Sequence, residues 1–188
     1  MTAKSLLFQA RNTRRLTQAA LAAAAQAPQP SVARVERGRR DLNVATLDRL
    51  VHAAGCQLAI LPSTRTTAAA AAVAVRHAVE DHNDEAAYRS VIQLADDLAA
   101  EDSAERVALC VTPPVATGDD RYDAFIAGIV EHRLSEGDLP LPKWVPTAPR
   151  LSTPWFVDEW GGDDALSATP RALRDRGVII GDYELVST

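Results

Sequence analysis

Cysteine, aromatic side chains and long apolar runs are scarce in this 188-residue chain. Its two cysteines, Cys56 and Cys110, stand alone and far apart, so the sequence predicts neither a disulfide framework nor a zinc ribbon. No run of about 18 apolar residues is present that would span a bilayer. Polar and basic residues interrupt the N-terminal stretch where a signal peptide needs an apolar segment. We therefore expect a soluble, cytoplasmic protein without a membrane partner.

The apolar content consists largely of alanine. Aromatic residues are 5% of the chain although hydrophobic residues reach 47%. Alanine buries little area per side chain but has the highest helix propensity. This composition predicts a mainly α protein with a modest core and little β structure.

The charge of the chain is unevenly distributed. The formal net charge is −5, which on its own argues against nucleic-acid binding. Residues 1–65, however, carry ten Lys/Arg and three Asp/Glu, a net charge of +7, whereas the rest of the chain carries −12. A basic segment of this kind favours contact with phosphates, and the acidic remainder favours a different role.

Helix-capping and helix-breaking residues divide the chain into three parts. Residues 1–62 are expected to form five short helices, with Thr17 and Asn43 as N-caps and Gly38 and Gly55 as helix ends. A short extended or helical exit is predicted at residues 58–61. We predict a linker at residues 63–67 and an acidic helical region at residues 68–188.

The acidic region has two helices with strong apolar stripes. Residues 84–101 and 120–134 each place apolar side chains on one face, and either face is a candidate dimer seam. Residues 107–111 are predicted to be a short strand or a buried turn, and residues 178–180 a strand.

The extended strip, residues 137–162, is rich in proline and holds all three tryptophans. A few large aromatic side chains in a proline-stiffened strip are typical interface anchors. The alternative is a purely structural role, in which the same rings fill out an alanine-rich core. Both interpretations stay open at this stage. The candidate partner-binding residues are Trp144, Trp155, Phe156 and Trp160.

Three segments at residues 16–22, 31–38 and 46–50 form a recognisable pattern. They read LTQAALA, SVARVERG and TLDRL. Together they resemble the helix-turn-helix of phage-repressor-like regulators of the xenobiotic-response-element type, over about residues 3–62. The resemblance implies an N-terminal five-helix domain that binds double-stranded DNA. Because a single domain of this kind reads few bases, we expect a homodimer on an inverted repeat. The resemblance also implies that the segment at residues 31–38 belongs to the recognition helix, which enters the major groove and is ended by Gly38.

The resemblance also assigns candidate DNA contacts. Gln29, Ser31 and Arg34 lie on the recognition helix, where Gln pairs with adenine and Arg with guanine. Gln18 is similar to the family glutamine that holds a phosphate or a neighbouring side chain. Glu36 is expected to be structural and to pair with a neighbouring arginine. The arginines expected on phosphates are Arg14, Arg15, Arg37, Arg39 and Arg40.

The sequence departs from the family pattern at the turn. Gln26 occupies the position of the family's turn glycine, which predicts a strained backbone there at a cost of order 1 kcal/mol. Pro28 and Pro30 replace small polar residues near the start of the recognition helix, so we assign no base contact to them. A domain that has kept the fold for dimerisation or docking, without DNA binding, is the alternative interpretation.

Other constellations give no case for an enzyme. His77 and His82 are five residues apart, whereas two ligands on one helix face need a spacing of three or four. No glycine-rich phosphate loop or nucleophile motif is present. The sequence therefore predicts no catalytic residue, no cofactor and no metal.

The layout of the acidic region weakly resembles the partner-binding extensions of bacterial type II antitoxins. That resemblance implies an antitoxin that represses its own operon and neutralises a co-encoded toxin, for example one of nucleotidyltransferase type. The first alternative is a stand-alone transcriptional regulator whose acidic region senses a ligand or only dimerises. The second is an interaction protein of a phage or defence system with vestigial DNA binding.

Overall fold

Side-chain caps and left-handed residues set the helix boundaries near the N-terminus. The computed structural model describes residues 3–60, 63–157, 162–181 and 185, and of residues 162–164 the backbone alone. The hydroxyl of Thr17 accepts the Ala20 N–H at 3.0 Å, and the Asn43 side chain accepts the Thr46 N–H at 2.8 Å. These caps satisfy backbone donors that a helix start leaves unpaired. The first unit spans residues 1–60, and its helices are α1 Ala3–Thr13, α2 Gln18–Ala24, α3 Gln29–Glu36 and α4 Val44–Ala53.

A small apolar core holds these four helices together. Leu7, Leu21, Val35 and Leu50 come one from each helix and are almost fully buried. The fifth predicted helix is absent from the described residues, because residues 58–60 form no regular structure. The last residue of the predicted exit, Leu61, lies outside the described residues.

The second unit, residues 61–188, is built around the helix Asp120–Ser135, against which most of its other elements pack. Its helices are α5 Ala68–Glu80, α6 Asp84–Ala100, α7 Ser103–Cys110, α8 Asp120–Ser135, α9 Gly162–Ala168 and α10 Arg171–Arg174. A 3-10 turn, Val145–Thr147, and two short strands, β1 Trp155–Phe156 and β2 Val178–Ile179, complete the regular structure. The strands pair in parallel, Trp155 beside Val178 and Phe156 beside Ile179. The prediction of a mainly α fold with little β structure is confirmed.

Two helices carry the apolar stripes that the sequence offered as dimer seams. Val91 and Leu94 of α6 are fully buried, and so are Phe125 and Ile129 of α8, all inside the core of their own unit. That assignment was wrong because the stripes of α6 and α8 pack within a single chain. The predicted strand or turn at residues 107–111 was also wrong, since α7 covers residues 103–110. A short apolar run does not distinguish a strand from a helix.

The segment predicted as a linker is tied to the second unit by hydrogen bonds. Asp97, whose side chain is almost fully buried, accepts the Thr66 N–H at 2.7 Å and faces the Arg65 guanidinium at 3.4 Å. The hydroxyl of Ser63 lies 3.3 Å from Glu101. Polar contacts therefore hold residues 63–66 in place just before α5. Among the described residues, no helix combines the length and apolarity needed to cross a membrane.

Candidate nucleic-acid interface

A buried carboxylate fixes the orientation of α3. Glu36 accepts two hydrogen bonds from Arg11, one from Nε at 2.7 Å and one from Nη2 at 3.0 Å. Gln18 donates its amide N–H to the same carboxylate at 2.7 Å. The Glu36 side chain is only 3% exposed, so its charge depends on these partners. One residue from each of α1 and α2 thus holds the C-terminal end of α3.

The predicted pairing of Glu36 with an arginine is confirmed, but the partner is Arg11 rather than an arginine close to it in sequence. The hydrogen bond to Glu36 raises the pKa of Arg11 above its ordinary value, against the lowering effect of burial. Arg11 also donates to the Leu16 carbonyl at 2.8 Å. The pair is 25 residues apart in sequence, so no local pattern signals it.

Apart from the buried Glu36, the polar side chains of α3 lie on the surface opposite the core. Val32 and Val35 are buried, whereas Gln29 and Arg34 are exposed and Ser31 is half-buried. The guanidinium of Arg34 folds back towards the Pro30 carbonyl, with Nε 3.3 Å from the oxygen. The surface of α3 at its first two turns therefore presents hydrogen-bonding groups that packing leaves accessible.

Two proline residues shape the start of α3. Pro28 is the N-cap residue without a side-chain cap, and Pro30 lies in the first turn, where a missing N–H costs no intrahelical bond. Pro30 and Arg34 are four residues apart and so share a face of the helix. Gln26 has a positive φ of 50°, which confirms the strained turn predicted from the missing glycine.

The remaining predicted phosphate contacts lie on the same unit as α3, three of them directly after this helix and two after α1. Arg37, Arg39 and Arg40 follow the helix and are exposed. Arg14 is exposed as well, and its guanidinium lies over Gly55, so close that a Cβ there would be 3.3 Å from Nε. Arg15 is exposed with a φ of 53°. All five arginines are solvent-accessible, as phosphate contacts require.

The predicted partner-binding residues fall into two groups. Trp144 donates its indole N–H to the Cys110 carbonyl at 2.8 Å, and Trp155 packs edge-on against Tyr122 and Phe125. Both tryptophans are half-buried against the core of the second unit. Phe156 points away from that core and is 42% exposed. Trp160 lies outside the described residues.

The part of the chain that the structure describes contains no group of three or more His, Cys, Asp or Glu side chains that could hold a metal ion. His77 and His82 are both exposed, and the backbone of His82 has a positive φ of 54°. Burial raises the pKa of the Cys110 thiol to about 12, so at neutral pH the thiol is protonated and unreactive.

One comparison with known proteins gives a match. A helix-turn-helix family model fits residues 7–61, a segment that begins inside α1 and contains α2, α3 and α4. The match supports a DNA-binding regulator of the helix-turn-helix class. It covers less than a third of the chain. No curated protein and no solved structure matched the chain.

Proposed function

We propose that the protein is a transcriptional regulator that binds duplex DNA in a sequence-specific manner through α3. The observation that carries the proposal is the orientation of α3, whose C-terminal end is held by Arg11 and Gln18 through Glu36 while Gln29 and Arg34 stay exposed. A helix presented in this way is able to enter the major groove with its first turns at the base edges.

Each candidate side chain has a role in this proposal. Gln29, Ser31 and Arg34 contact base edges, with Arg34 suited to guanine. Gln18 holds Glu36 with one amide N–H and keeps a second donor for a phosphate. The exposed arginines of the first unit contact the backbone of the duplex and position the protein without reading sequence; they are Arg14, Arg15, Arg37, Arg39 and Arg40.

Titration of the full chain with DNA from upstream of its own gene tests the proposal. Fluorescence anisotropy at several salt concentrations gives the affinity and its salt slope. Arg34→Ala should cost about 1–3 kcal/mol and relax specificity at one base pair, and Arg39→Ala should reduce the salt slope by about 1 without changing specificity. Arg171→Ala is the matched control, because Arg171 is an exposed arginine of the second unit.

The proposal fails if the full chain shows no salt-dependent binding to that DNA. It also fails if Arg34→Ala and Arg171→Ala bind every sequence alike, since α3 would then not read bases.

We propose further that the protein binds an inverted repeat as a homodimer. One α3 reads few base pairs, and two copies about 34 Å apart would contact successive major-groove turns. Light scattering at micromolar concentration, with and without operator DNA, measures the stoichiometry. A strict monomer under both conditions contradicts the dimer.

The finer role we propose is that of an antitoxin that represses its operon and neutralises a co-encoded toxin. The net charge of −12 on residues 66–188 supports a basic protein partner, and the exposed Phe156 supplies an apolar anchor beside the two-stranded sheet. A nucleotidyltransferase is one toxin type that fits such a basic partner. A stand-alone regulator remains the alternative, and unrelated genes beside its own would favour it.

Co-expression with the neighbouring gene product separates these two roles. If that product arrests growth, the full chain should restore it and Phe156→Ala should restore it less. Leu166→Ala is the matched control, since Leu166 has the same exposed fraction of 42%. A neighbouring product that is harmless, or one that the full chain does not neutralise, contradicts the antitoxin role and leaves DNA binding untouched.

A further inference from the structure

The second unit contains an apolar pocket with one charged group in its wall. The pocket has a volume of about 230 Å³ and lies between the loop that follows α7, the first turns of α8 and the 3-10 turn. Three prolines, Ile126 and the indole of Trp144 make its apolar surface. Asp123 is the charged residue that lines it, and no Lys, Arg or His takes part among the described residues.

Hydrogen bonds hold all three walls of this pocket. The loop is fixed by the Thr117 N–H, which donates to Asp123 Oδ1 at 2.9 Å, and Thr117 itself is 1% exposed. The indole of Trp144 is fixed by the Cys110 carbonyl at 2.8 Å. The buried Arg176 donates to the Val145 carbonyl at 2.8 Å and so fixes the 3-10 turn. A pocket formed in advance binds with a smaller loss of entropy.

The carboxylate of Asp123 is available to a ligand. Its Oδ1 atom accepts one backbone hydrogen bond, and among the residues that the structure describes no cationic side chain forms an ion pair with it. A carboxylate has room for further donors. A half-buried anion next to an indole ring and several proline rings matches a ligand with a cationic end and an apolar body.

We propose that this pocket binds a small amphiphilic cation, namely a primary amine carried on a single apolar ring. The ammonium group donates to Asp123, and the ring packs between Ile126, Trp144 and the prolines. The volume is below the range of about 300–1,000 Å³ that is usual for drug-sized ligands, which limits the body of the ligand to about one ring. The proposal does not depend on the DNA-binding role of the first unit.

Three isosteric probes test the charge requirement: phenethylammonium, 2-phenylethanol and phenylacetate. Each is titrated into the full chain, and nitrogen–proton correlation spectra follow the Trp144 indole N–H and the Thr117 amide. We expect phenethylammonium to shift both signals with a Kd on the order of 1 mM. The alcohol should bind about tenfold more weakly, because it lacks the charge-assisted hydrogen bond, and the anion should not bind.

Two carboxylate variants separate binding from folding. Asp123→Asn keeps an oxygen acceptor for the Thr117 N–H but removes the charge, so it should lose about tenfold in amine affinity and retain the affinity for the alcohol. Asp120→Asn removes an exposed carboxyl three residues earlier on α8, outside the pocket, and should bind the amine normally.

Three results would overturn the proposal. The first is no shift of either signal at millimolar amine. The second is equal binding of the amine and the alcohol, and the third is equal amine affinity in Asp123→Asn and Asp120→Asn. An Asp123→Asn variant that also loses the alcohol would show that the pocket had collapsed; Asp123→Glu, which retains the charge, should then restore amine binding if the proposal holds.

Discussion

Arg11 of α1 and Glu36 of α3 form a two-point ion pair at 2.7 and 3.0 Å, and the Glu36 carboxylate is almost fully buried. The pair joins the first helix of the chain to the end of the proposed recognition helix. A buried charge is tolerated only while its partners remain.

Removal of Arg11 is therefore expected to unfold or loosen the first unit. Arg11→Ala leaves Glu36 with Gln18 as its remaining partner among the described contacts, and breaking a buried pair costs about 3–5 kcal/mol. Circular dichroism of the full chain should show part of the helical signal melting at lower temperature, with loss of DNA binding. Arg40→Ala, which changes an exposed arginine of the same unit, should keep the wild-type melting curve. Equal curves for both variants would contradict this assignment.

Local sequence patterns predict the helices of the first unit well. Thr17 and Asn43 cap α2 and α4 as expected, because a cap depends on residues within one turn. The strained turn at Gln26 was equally predictable, because a residue other than glycine at this position must adopt a positive φ. The three motif segments also have the spacing of the helix-turn-helix family, and this spacing predicted the order of the helices.

Contacts between distant segments were not predictable in the same way. Arg11 and Glu36 carry no spacing signal, and the pocket around Asp123 combines residues from three separate segments. The apolar stripe of α8 is visible in the sequence, but periodicity does not say whether the covering surface belongs to the same chain or to a second copy. Here the covering surface belongs to the same chain.

The close approach of α8 and α10 depends on Gly128. A Cβ built on Gly128 would lie 2.5 Å from Leu173 Cδ2 and 3.4 Å from Leu173 Cα. Gly128→Ala is expected to destabilise the second unit by about 1–3 kcal/mol, since Leu173 is fully buried and has little room to shift.

A double-mutant cycle checks this contact. Leu173→Ala alone should cost about 2–5 kcal/mol through the cavity it leaves. The double variant should be more stable than the sum of the two single changes predicts, because the added methyl group fills part of that cavity. Additive free energies of unfolding, measured by denaturant titration, would show that the two residues do not contact each other.

Asp119 makes the stability of the second unit dependent on pH. Its carboxylate accepts hydrogen bonds from the Arg121 guanidinium and caps α8, and the guanidinium lowers the pKa of Asp119 below its ordinary value of 3.8. A lowered folded-state pKa adds stability above pH 3.8, and that stability is lost as the pH falls through the folded pKa.

Thermal melts from pH 7 to acid measure this contribution. Asp119→Asn should be less stable than the wild type at pH 7, and the gap should close in acid because the wild-type carboxyl is then protonated. Arg121→Gln removes the other partner, so its gap should also narrow in acid, while the loss of the guanidinium beside Trp155 adds a part that does not depend on pH. A gap of constant size over the whole range would rule out the charge of Asp119 as its cause.

The two neighbouring aromatics Trp155 and Phe156 are expected to respond in opposite ways to truncation. The ring of Trp155 packs edge-on against Tyr122 at 5.3 Å and Phe125 at 5.9 Å, and the Arg121 guanidinium lies 5.3 Å from its centre. Truncation of a fully buried ring costs about 3–5 kcal/mol. Since Trp155 is half-buried, Trp155→Ala should lower the melting temperature by several degrees. Phe156→Ala, next in sequence and largely exposed, should leave the melting temperature unchanged and reduce only partner binding. If Trp155→Ala melts like the wild type yet fails to neutralise a co-encoded partner, the ring is an interface anchor and the packing role assigned to it is wrong.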